Sequence, residues 1–192
     1  MGYENYYIVA NTREEFANES LISTRPYSDH PSKKSIRFVT NELRKYGYDA
    51  HYFGGVESLI EACYQHRSFL NTLFLNFSDG LSQVNRKAQS AILLELLGVP
   101  YAGSDPLARL MAGNKAYAKK IVSPDLEVPQ SVIAFNGSPL PNSLRFPVII
   151  KPNREGSSLG ISQDSICSNI QELKERLPKL LSRYKEVLIE EY

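Results

Sequence analysis

The 192-residue sequence contains no tryptophan and only two cysteines, and its opposite charges almost cancel. A net charge of +1, from 22 basic and 21 acidic side chains, argues against a general binder of nucleic acid or of anionic membranes. Cys63 and Cys167 lack metal-type spacing, which favours two buried thiols in a reducing compartment. We therefore expect a cytoplasmic protein with no nucleic-acid partner.

The sequence also has no apolar run long enough to span a bilayer. Near the N-terminus, an early Glu4 and a short apolar core at 8–10 do not form a signal peptide. Apolar residues make up 42% of the chain, enough to bury a hydrophobic core. These features predict a globular protein with no membrane partner.

The first half of the sequence alternates strand and helix patterns. Strands are predicted at 6–10, 49–53 and 72–77, and helices at 32–46, 56–66 and 83–97. The 72–77 run is almost continuously apolar, which indicates burial on both faces of a parallel sheet. We predict a doubly wound α/β layer, in which ligands meet the loops beyond the carboxyl ends of the strands.

Two loops at that edge carry candidate substrate contacts. A polar stretch at 13–32 follows the first strand, and Asp79 follows the third. By position, Arg13, Glu14, Glu15 and Asp79 are candidate substrate contacts, and Glu15 and Asp79 are the two selected. A solvated loop explains the acidic residues equally well, and turn chemistry explains Asp79. His30 is interpreted as a surface histidine, since no second metal ligand is evident nearby.

The second half is predicted to hold a helix at 107–122 that breaks at 113–114, strands at 131–135 and 186–192, and a helix at 165–183. We place a domain boundary near Ser123, which gives domains 1–122 and 123–192. A sequence that ends on a well-formed strand predicts that the chain is cut from a longer protein.

Residues 146–162, FPVIIKPNREGSSLGIS, are predicted to form a strand, a polar loop and a returning strand from Leu159. Lys151, at the end of the first strand, offers a point charge to a phosphate group. Gly156, Ser157 and Ser158 offer close backbone approach and hydroxyl groups to an anion. This stretch therefore predicts a nucleotide-phosphate site.

Three segments, in this order, resemble the ATP-grasp ligases, and most nearly the D-alanine–D-alanine ligases. They are residues 97–122 (LGVPYAGSDPLARLMAGNKAYAKKIV), residues 146–162 and residues 186–192 (EVLIEEY). The resemblance implies an N-terminal doubly wound parallel-sheet domain that precedes an ATP-grasp module. The first, smaller α+β half of that module would follow.

The resemblance also implies roles for individual residues. Lys115 and Lys151 would contact ATP phosphates, and Glu190 would accept a hydrogen bond from the adenine amino group. A mobile loop would cover the phosphates, and Glu191 and Tyr192 would begin the adenine hinge. The loop is made of Glu155, Gly156, Ser157 and Ser158. Ser157 would also lie near the amino-acid substrate, which makes it the catalytic candidate.

The implied cofactors are ATP and Mg²⁺, and the metal ligands are expected in a C-terminal half that this sequence lacks. No metal ligand is therefore predicted here, and we expect no ligase turnover from the chain alone. The implied partners are small amino-acid substrates. A homodimer is one open expectation.

The implied reaction is an ATP-dependent carboxylate–amine ligation through an acyl phosphate, as in peptidoglycan biosynthesis. Two departures from the family leave the substrate open. Asn11, Thr12 and Arg13 replace a Gly-Gly loop that carries a substrate-binding glutamate, and residues 77–80 (FSDG) replace a His-Gly pair. Glu14, Glu15 and Glu19 are the alternatives for that glutamate. A ligase for another amino acid or dipeptide is one alternative. A non-catalytic fragment that binds nucleotide or amino acid is another.

Overall fold

The computed structural model describes residues 2–19, 29–81, 85–140 and 144–192. The chain divides into two compact units, Met1–Leu110 and Met111–Tyr192. The boundary that the sequence places near Ser123 stays a prediction of where the protein's domains divide.

The first unit contains a four-stranded parallel sheet in the order β2-β1-β3-β4. Its strands are β1 (Asn5–Val9), β2 (Asp49–Gly54), β3 (Thr72–Asn76) and β4 (Tyr101–Ala102). The predicted α/β class with a parallel sheet is thereby confirmed. A 3₁₀ helix, Arg13–Glu19, follows β1 where the sequence suggested irregular loop.

Four helices belong wholly or mainly to this unit: α1 (Lys33–Lys45), α2 (Val56–Tyr64), α3 (Arg86–Leu96) and α4 (Pro106–Ala112). As predicted, α1 starts after the N-cap Ser32, whose side chain accepts a hydrogen bond from the Ser35 amide. It ends before Gly47, which has a φ of +85°.

The predicted buried faces of the helices were partly wrong. In α3, the apolar pattern predicts a buried face of Ile92, Leu93, Leu96 and Leu97, but Ile92 and Leu96 are 44% and 72% exposed. The buried side is instead formed by Ala88, Ala91 and Leu94. Small residues at a spacing of three let the helix approach the sheet closely, and a leucine-rich run hides that register. The apolar spacing of the helices predicted at 32–46 and 56–66 likewise places Tyr46 and Ile60 inward, but both side chains are exposed.

The second unit contains a four-stranded sheet in the order β5-β8-β6-β7, in which all neighbours are antiparallel. Its strands are β5 (Ser131–Ala134), β6 (Val148–Pro152), β7 (Ile166–Cys167) and β8 (Val187–Glu191), and its helices are α5 (Lys115–Val122) and α6 (Ile170–Leu181). The break between α4 and α5 falls at 113–114, as predicted.

Two boundaries in this unit differ from prediction. The returning strand expected from Leu159 is β7, because residues 157–160 form turns. Helix α6 begins after Asn169, whose side chain accepts a hydrogen bond from the Glu172 amide, and not at Ser165.

The two faces of this second sheet have different chemistry, because side chains alternate along each strand. One face is apolar and packs against α6. Its core comprises Ala134, Val148, Ile150, Cys167, Leu173, Leu177, Val187 and Ile189. The intervening positions Lys151, Leu188 and Glu190 lie on the opposite face, where Lys151 is paired in register with Leu188. Lys151 and Glu190, two of the residues predicted for nucleotide binding, therefore lie on the face away from α6.

In the part of the chain that the structure describes, no helix combines the length and apolar character needed to cross a bilayer. Cys167 is buried and Cys63 partly so, and both are free thiols.

Candidate functional site

Glu190 lies between two ammonium groups on the face of the second sheet that is opposite α6. Its Oε1 is 2.5 Å from Lys151 Nζ, and its Oε2 is 2.6 Å from Lys119 Nζ. The Glu190 side chain is only 10% exposed. Burial alone would raise the pKa of this carboxyl, but hydrogen bonds from Lys119 and Lys151 outweigh burial and lower the pKa. Glu190 is therefore held as a carboxylate.

Lys115 lies at the start of α5, beside the C-terminal end of β6. Its ammonium group donates to the backbone carbonyls of Pro152, at 2.9 Å, and of Glu155. Two of the predicted phosphate-binding side chains, Lys115 and Lys151, thus occupy the same end of β6.

The loop after β6 turns tightly and presents its two serines to solvent. The amide of Leu159 donates to Gly156 O at 2.9 Å, and the amide of Ile161 donates to Ser158 O at 3.1 Å. Ser157 and Ser158 have φ values of +48° and +57°, in the left-handed region that non-glycine residues seldom adopt. Such backbone strain is found disproportionately at ligand-binding loops.

The backbone amides of Glu191 and Tyr192, the predicted start of the hinge, both form hydrogen bonds. The Glu191 amide donates to Gln130 O and the Tyr192 amide to Pro147 O, each at 3.0 Å. The Glu191 side chain accepts a hydrogen bond from Arg145 Nε at 3.0 Å. The ring of Tyr192 is 70% exposed.

A cleft of about 660 Å³ lies between α5 and β5, next to this group of charges. Ala116, Lys119, Ile133 and Leu188 contribute to its lining. An apolar wall with a few polar groups is typical of sites for small organic ligands.

Asn153 is a residue of this site that the sequence reading missed. It is fully buried, and its side chain donates to Asn114 Oδ1 at 3.1 Å and to Glu186 Oε2 at 2.7 Å. Its Oδ1 accepts a hydrogen bond from the Ala116 amide at 3.0 Å. Asn153 thereby ties the first turn of α5 to the end of β6, and so fixes Lys115 relative to Lys151. Its place directly after the Lys-Pro pair was the signal available in the sequence.

In the first unit, Glu15 is bound into a network at the carboxyl end of the parallel sheet. Its Oε1 accepts hydrogen bonds from Thr12 Oγ1 at 2.9 Å and from the Tyr52 hydroxyl at 3.1 Å. Burial first, and then the Glu15 carboxylate, raise the pKa of Tyr52. Of the alternatives to Glu15, Glu14 accepts a hydrogen bond from the Lys33 amide at 2.9 Å, and the side chain of Glu19 lies outside the described residues.

Asn11, where the resemblance expects glycine, is part of the same network. It is fully buried, accepts hydrogen bonds from the Val56 amide and Ser78 Oγ, and donates to Glu57 at 2.8 Å. A Cβ on Gly55 would lie 2.1 Å from Asn11 Nδ2, so only glycine fits opposite Asn11. Asn11 therefore fills space at the end of β1.

Asp79 lies beside a second buried network that includes Asp29, His30 and Arg86. The Asp79 carboxylate is 4.0 Å from both Lys87 Nζ and Arg109 Nη2, and the Asp79 carbonyl accepts a hydrogen bond from Arg86. No described contact joins Asp79 to Glu15. His30, expected at the surface, is 1% exposed, because Asp29 and Gly80 O satisfy its two ring nitrogens.

Asp29, His30 and Asp79 offer ligand atoms within 4.8 Å of one another. They do not fit Mg²⁺, which prefers oxygen ligands in an octahedral set. Both nitrogens of His30 are already engaged, and Arg86 Nη2 lies 2.7 Å from Asp29 Oδ2. This group is built as an ionic network.

Comparison with known proteins gives consistent similarities. A family model described as the D-ala D-ala ligase C-terminus matches residues 137–192. The D-alanine–D-alanine ligase of Thermotoga petrophila is 29% identical over 165 residues, which cover 84% of this chain and 50% of that protein.

Two crystal structures of D-alanine–D-alanine ligase from Bacillus anthracis share the fold over the full chain. One has a TM-score of 0.66, and the other, complexed with ATP, has a TM-score of 0.65. Each is 20% identical, and the matches cover 57% and 59% of those chains. The chain spans about half the length of the curated relatives it matches.

Proposed function

Because the chain is a D-alanine–D-alanine ligase-like ATP-grasp protein, we propose that its second unit binds ATP for a carboxylate–amine ligation. The observation that carries the proposal is the Lys151–Glu190 pair, which lies on the sheet face opposite α6 with Lys115 at the end of the same strand. A ligand on this face meets cations and a carboxylate together.

The charges suit the two ends of ATP. Lys115 and Lys151 offset the negative charge of the phosphates, since ammonium groups bind phosphate as point charges. Glu190, kept ionised by its neighbours, accepts a hydrogen bond from the amino group of adenine. The nearby cleft of about 660 Å³ has room for the base and ribose. Glu191, the last residue of β8, and Tyr192 lead toward the base.

The loop of Glu155, Gly156, Ser157 and Ser158 acts as a cover over the phosphates. In the proposed reaction, a carboxylate oxygen of one amino acid attacks the γ-phosphorus of ATP, and ADP leaves. The amine of a second amino acid then attacks the acyl phosphate, phosphate leaves and a proton is lost from nitrogen. A closed loop keeps water from the acyl phosphate, and Ser157 lies nearest the substrate.

Mg²⁺ is expected in such a reaction, where it would neutralise phosphate charge. We assign no Mg²⁺ ligand among the described residues. We also propose no turnover by the 192-residue chain alone, and a cytoplasmic location in a peptidoglycan-forming pathway for the whole protein.

A substrate other than D-alanine is a second candidate, and Asn11 favours it. The glycines of the family's Gly-Gly loop would leave open space at this position, whereas the Asn11 side chain fills it and forms hydrogen bonds with Glu57, Val56 and Ser78. Glu15 and Asp79 are the proposed substrate contacts. A panel of amino acids, tested with phosphate release by a protein that includes the rest of the ligase, would separate the candidates.

The test of ATP binding uses calorimetric titration of the chain with ATP. We expect saturable binding that Lys151→Met weakens at least about tenfold, the effect of losing a hydrogen bond to a charged group. Lys174→Met, which removes an exposed lysine of α6 on the other face, serves as the control. Equal ATP affinity in the two variants, or no ATP binding by the unaltered chain, would refute the proposal.

A further inference from the structure

Lys119 is a half-buried lysine of α5 that lies one helical turn after Lys115. Its sequence context predicts a solvated helix lysine. In the structure, its side chain is 18% exposed, and its ammonium group is 2.6 Å from Glu190 Oε2 and 3.2 Å from Pro129 O. Lys119 is therefore anchored at both the carboxylate and the backbone.

We propose that Lys119 is the positioning residue that keeps Glu190 ionised and correctly aimed when nucleotide binds. The inference rests on the ATP site proposed above. It adds that Lys119 gives this site its preference for a 6-amino purine over a 6-oxo purine.

The argument starts from the two roles required of Lys151. In the absence of ligand, Lys151 Nζ lies 2.5 Å from Glu190 Oε1. When the Lys151 ammonium group turns to a phosphate oxygen, this ion pair is weakened or lost. A carboxylate that is 10% exposed and left without a cation is strongly disfavoured, because its burial is no longer compensated.

Lys119 removes that difficulty, because it has no part in the proposed phosphate contacts and is fixed by Pro129 O. The charged groups that face Glu190 are Lys119 from α5 and Lys151 from β6. The neighbouring strand β5 places the uncharged Ser131 opposite Glu190. Once Lys151 has turned away, Lys119 is the remaining cation of this set.

The charge state of Glu190 decides which base it accepts. An ionised carboxylate only accepts hydrogen bonds, so it matches the 6-amino group of adenine and repels the 6-oxo group of hypoxanthine. A protonated carboxyl also has a donor and can bind the 6-oxo group. Loss of Lys119 therefore reduces discrimination between ATP and inosine triphosphate, which differ in that group.

Loss of Lys119 also changes the pH profile. Because hydrogen bonds from both lysines oppose the effect of burial on the Glu190 pKa, removing one moves protonation of Glu190 toward higher pH. We therefore expect Lys119→Met to lose ATP affinity, relative to the unaltered chain at the same pH, as the pH is lowered. The comparison is made at equal pH because the terminal phosphate of ATP also takes up a proton near neutral pH.

The experiment titrates ATP and inosine triphosphate into the chain by calorimetry at several pH values. We expect Lys119→Met to lower the ratio of ATP affinity to inosine triphosphate affinity about tenfold. The reason is that the hydrogen bond between the 6-amino group and an ionised Glu190 no longer favours ATP. Lys119→Gln keeps a donor for Pro129 O and tests the charge if the methionine variant folds poorly. Lys119→Arg should restore most of the selectivity, and Lys174→Met should leave it unchanged.

A purely structural role for Lys119 predicts a different pattern. Both nucleotides would then lose affinity equally, with the pH profile unchanged in shape. That pattern, or normal selectivity in both Lys119→Met and Lys119→Gln, overturns the inference while ATP binding by the unaltered chain still supports the proposed function. Failure of the unaltered chain to bind ATP overturns both.

Discussion

Asp29 is the centre of a buried ionic network in which its two carboxylate oxygens face different partners. Oδ1 lies 3.2 Å from His30 Nδ1, and Oδ2 lies 2.7 Å from Arg86 Nη2. Burial alone would raise the pKa of Asp29, but the hydrogen bonds and charges of His30 and Arg86 lower it from 3.8 to about 2. The ionised form is therefore strongly favoured in the folded protein.

This lowered pKa predicts an acid-sensitive stability. The contribution of Asp29 is fully present above pH 3.8 and is lost as the pH falls toward about 2. The difference between these values corresponds to about 2 kcal/mol. In urea unfolding from pH 6 to pH 2.5, Asp29→Asn should have lower stability at pH 6 and a shallower decline than the unaltered protein.

The control is Asp49→Asn, whose side chain is 63% exposed and pairs only with His51 among the described contacts. Its pH profile should follow that of the unaltered protein. An Asp29→Asn profile with the same steep decline would contradict the prediction.

At the scale of single residues, the sequence indicated which side chains could bind a ligand better than it indicated how deeply side chains are buried. Motifs in order along the chain singled out Lys115, Lys151 and Glu190, and the structure places Lys115 and Glu190 beside β6; their roles toward ATP stay predictions. The environments of Lys119, His30 and Asn153 were not predicted, because their burial depends on residues far away in the sequence. Glu190, for example, lies 71 positions after Lys119. A local pattern cannot distinguish a lysine on a solvated helix face from one that meets a distant strand.

Gly160 is the element-scale feature that closes the loop after β6. Its φ is +74°, and a Cβ there would lie 2.7 Å from Pro152 Cγ and 2.9 Å from Tyr184 Oη. Only glycine therefore allows the loop to lie against both the end of β6 and the ring of Tyr184.

We expect Gly160→Ala to lower the free energy of unfolding by about 1–3 kcal/mol, from positive-φ strain plus steric overlap. Gly98→Ala is a matched control, because Gly98 has a φ of +65° with no atom within 4 Å of a built Cβ. Its cost should be about 1 kcal/mol, from strain alone. Thermal and urea unfolding of the two variants measure the difference, and equal costs would show that the Gly160 contacts do not matter.

A helix or strand was predicted well when the residues that define its ends lie within its own sequence. Helix α1 and the break before α5 carry their own caps, Ser32 and Asn114, and their ends were predicted closely. Strand β7 has two residues and pairs only with β6 in the described sheet, so nothing within its own sequence marks it. Residues 153–158 were correctly expected as a loop, but residues 159–160, expected to begin the returning strand, also belong to it. The length of the loop could not be determined from turn residues alone.

At the scale of the whole molecule, the buried core is divided between the two units. Two clusters, one around Val9, Leu59, Phe74 and Leu94 and one around Ile8 and Ile36, lie in the first unit. The cluster around Leu173 and Ile189 lies in the second. No described residue belongs to cores of both units. Each unit therefore has the means to unfold and exchange amide hydrogens by itself.

This division predicts where ATP stabilises the protein. A ligand at 100 times its dissociation constant adds about 2.7 kcal/mol to the stability of whatever unfolds with its site. If the second unit opens separately, hydrogen exchange in ATP should slow in β6, β8, α5 and residues 154–160. It should stay unchanged in β1 and β3, whose core is in the first unit. At the same ATP concentration, Lys151→Met should reduce the added stability to about 1.4 kcal/mol or less, because its dissociation constant is at least about tenfold higher. This reduction separates the slowing from any effect of ATP on the solvent. Equal slowing of β1 and β8 would mean that the two units unfold as one cooperative body. Slowing confined to β1 and β3 would place the nucleotide in the first unit and contradict the assignment of Lys151 and Glu190, because a ligand protects only the part of the chain whose opening releases it.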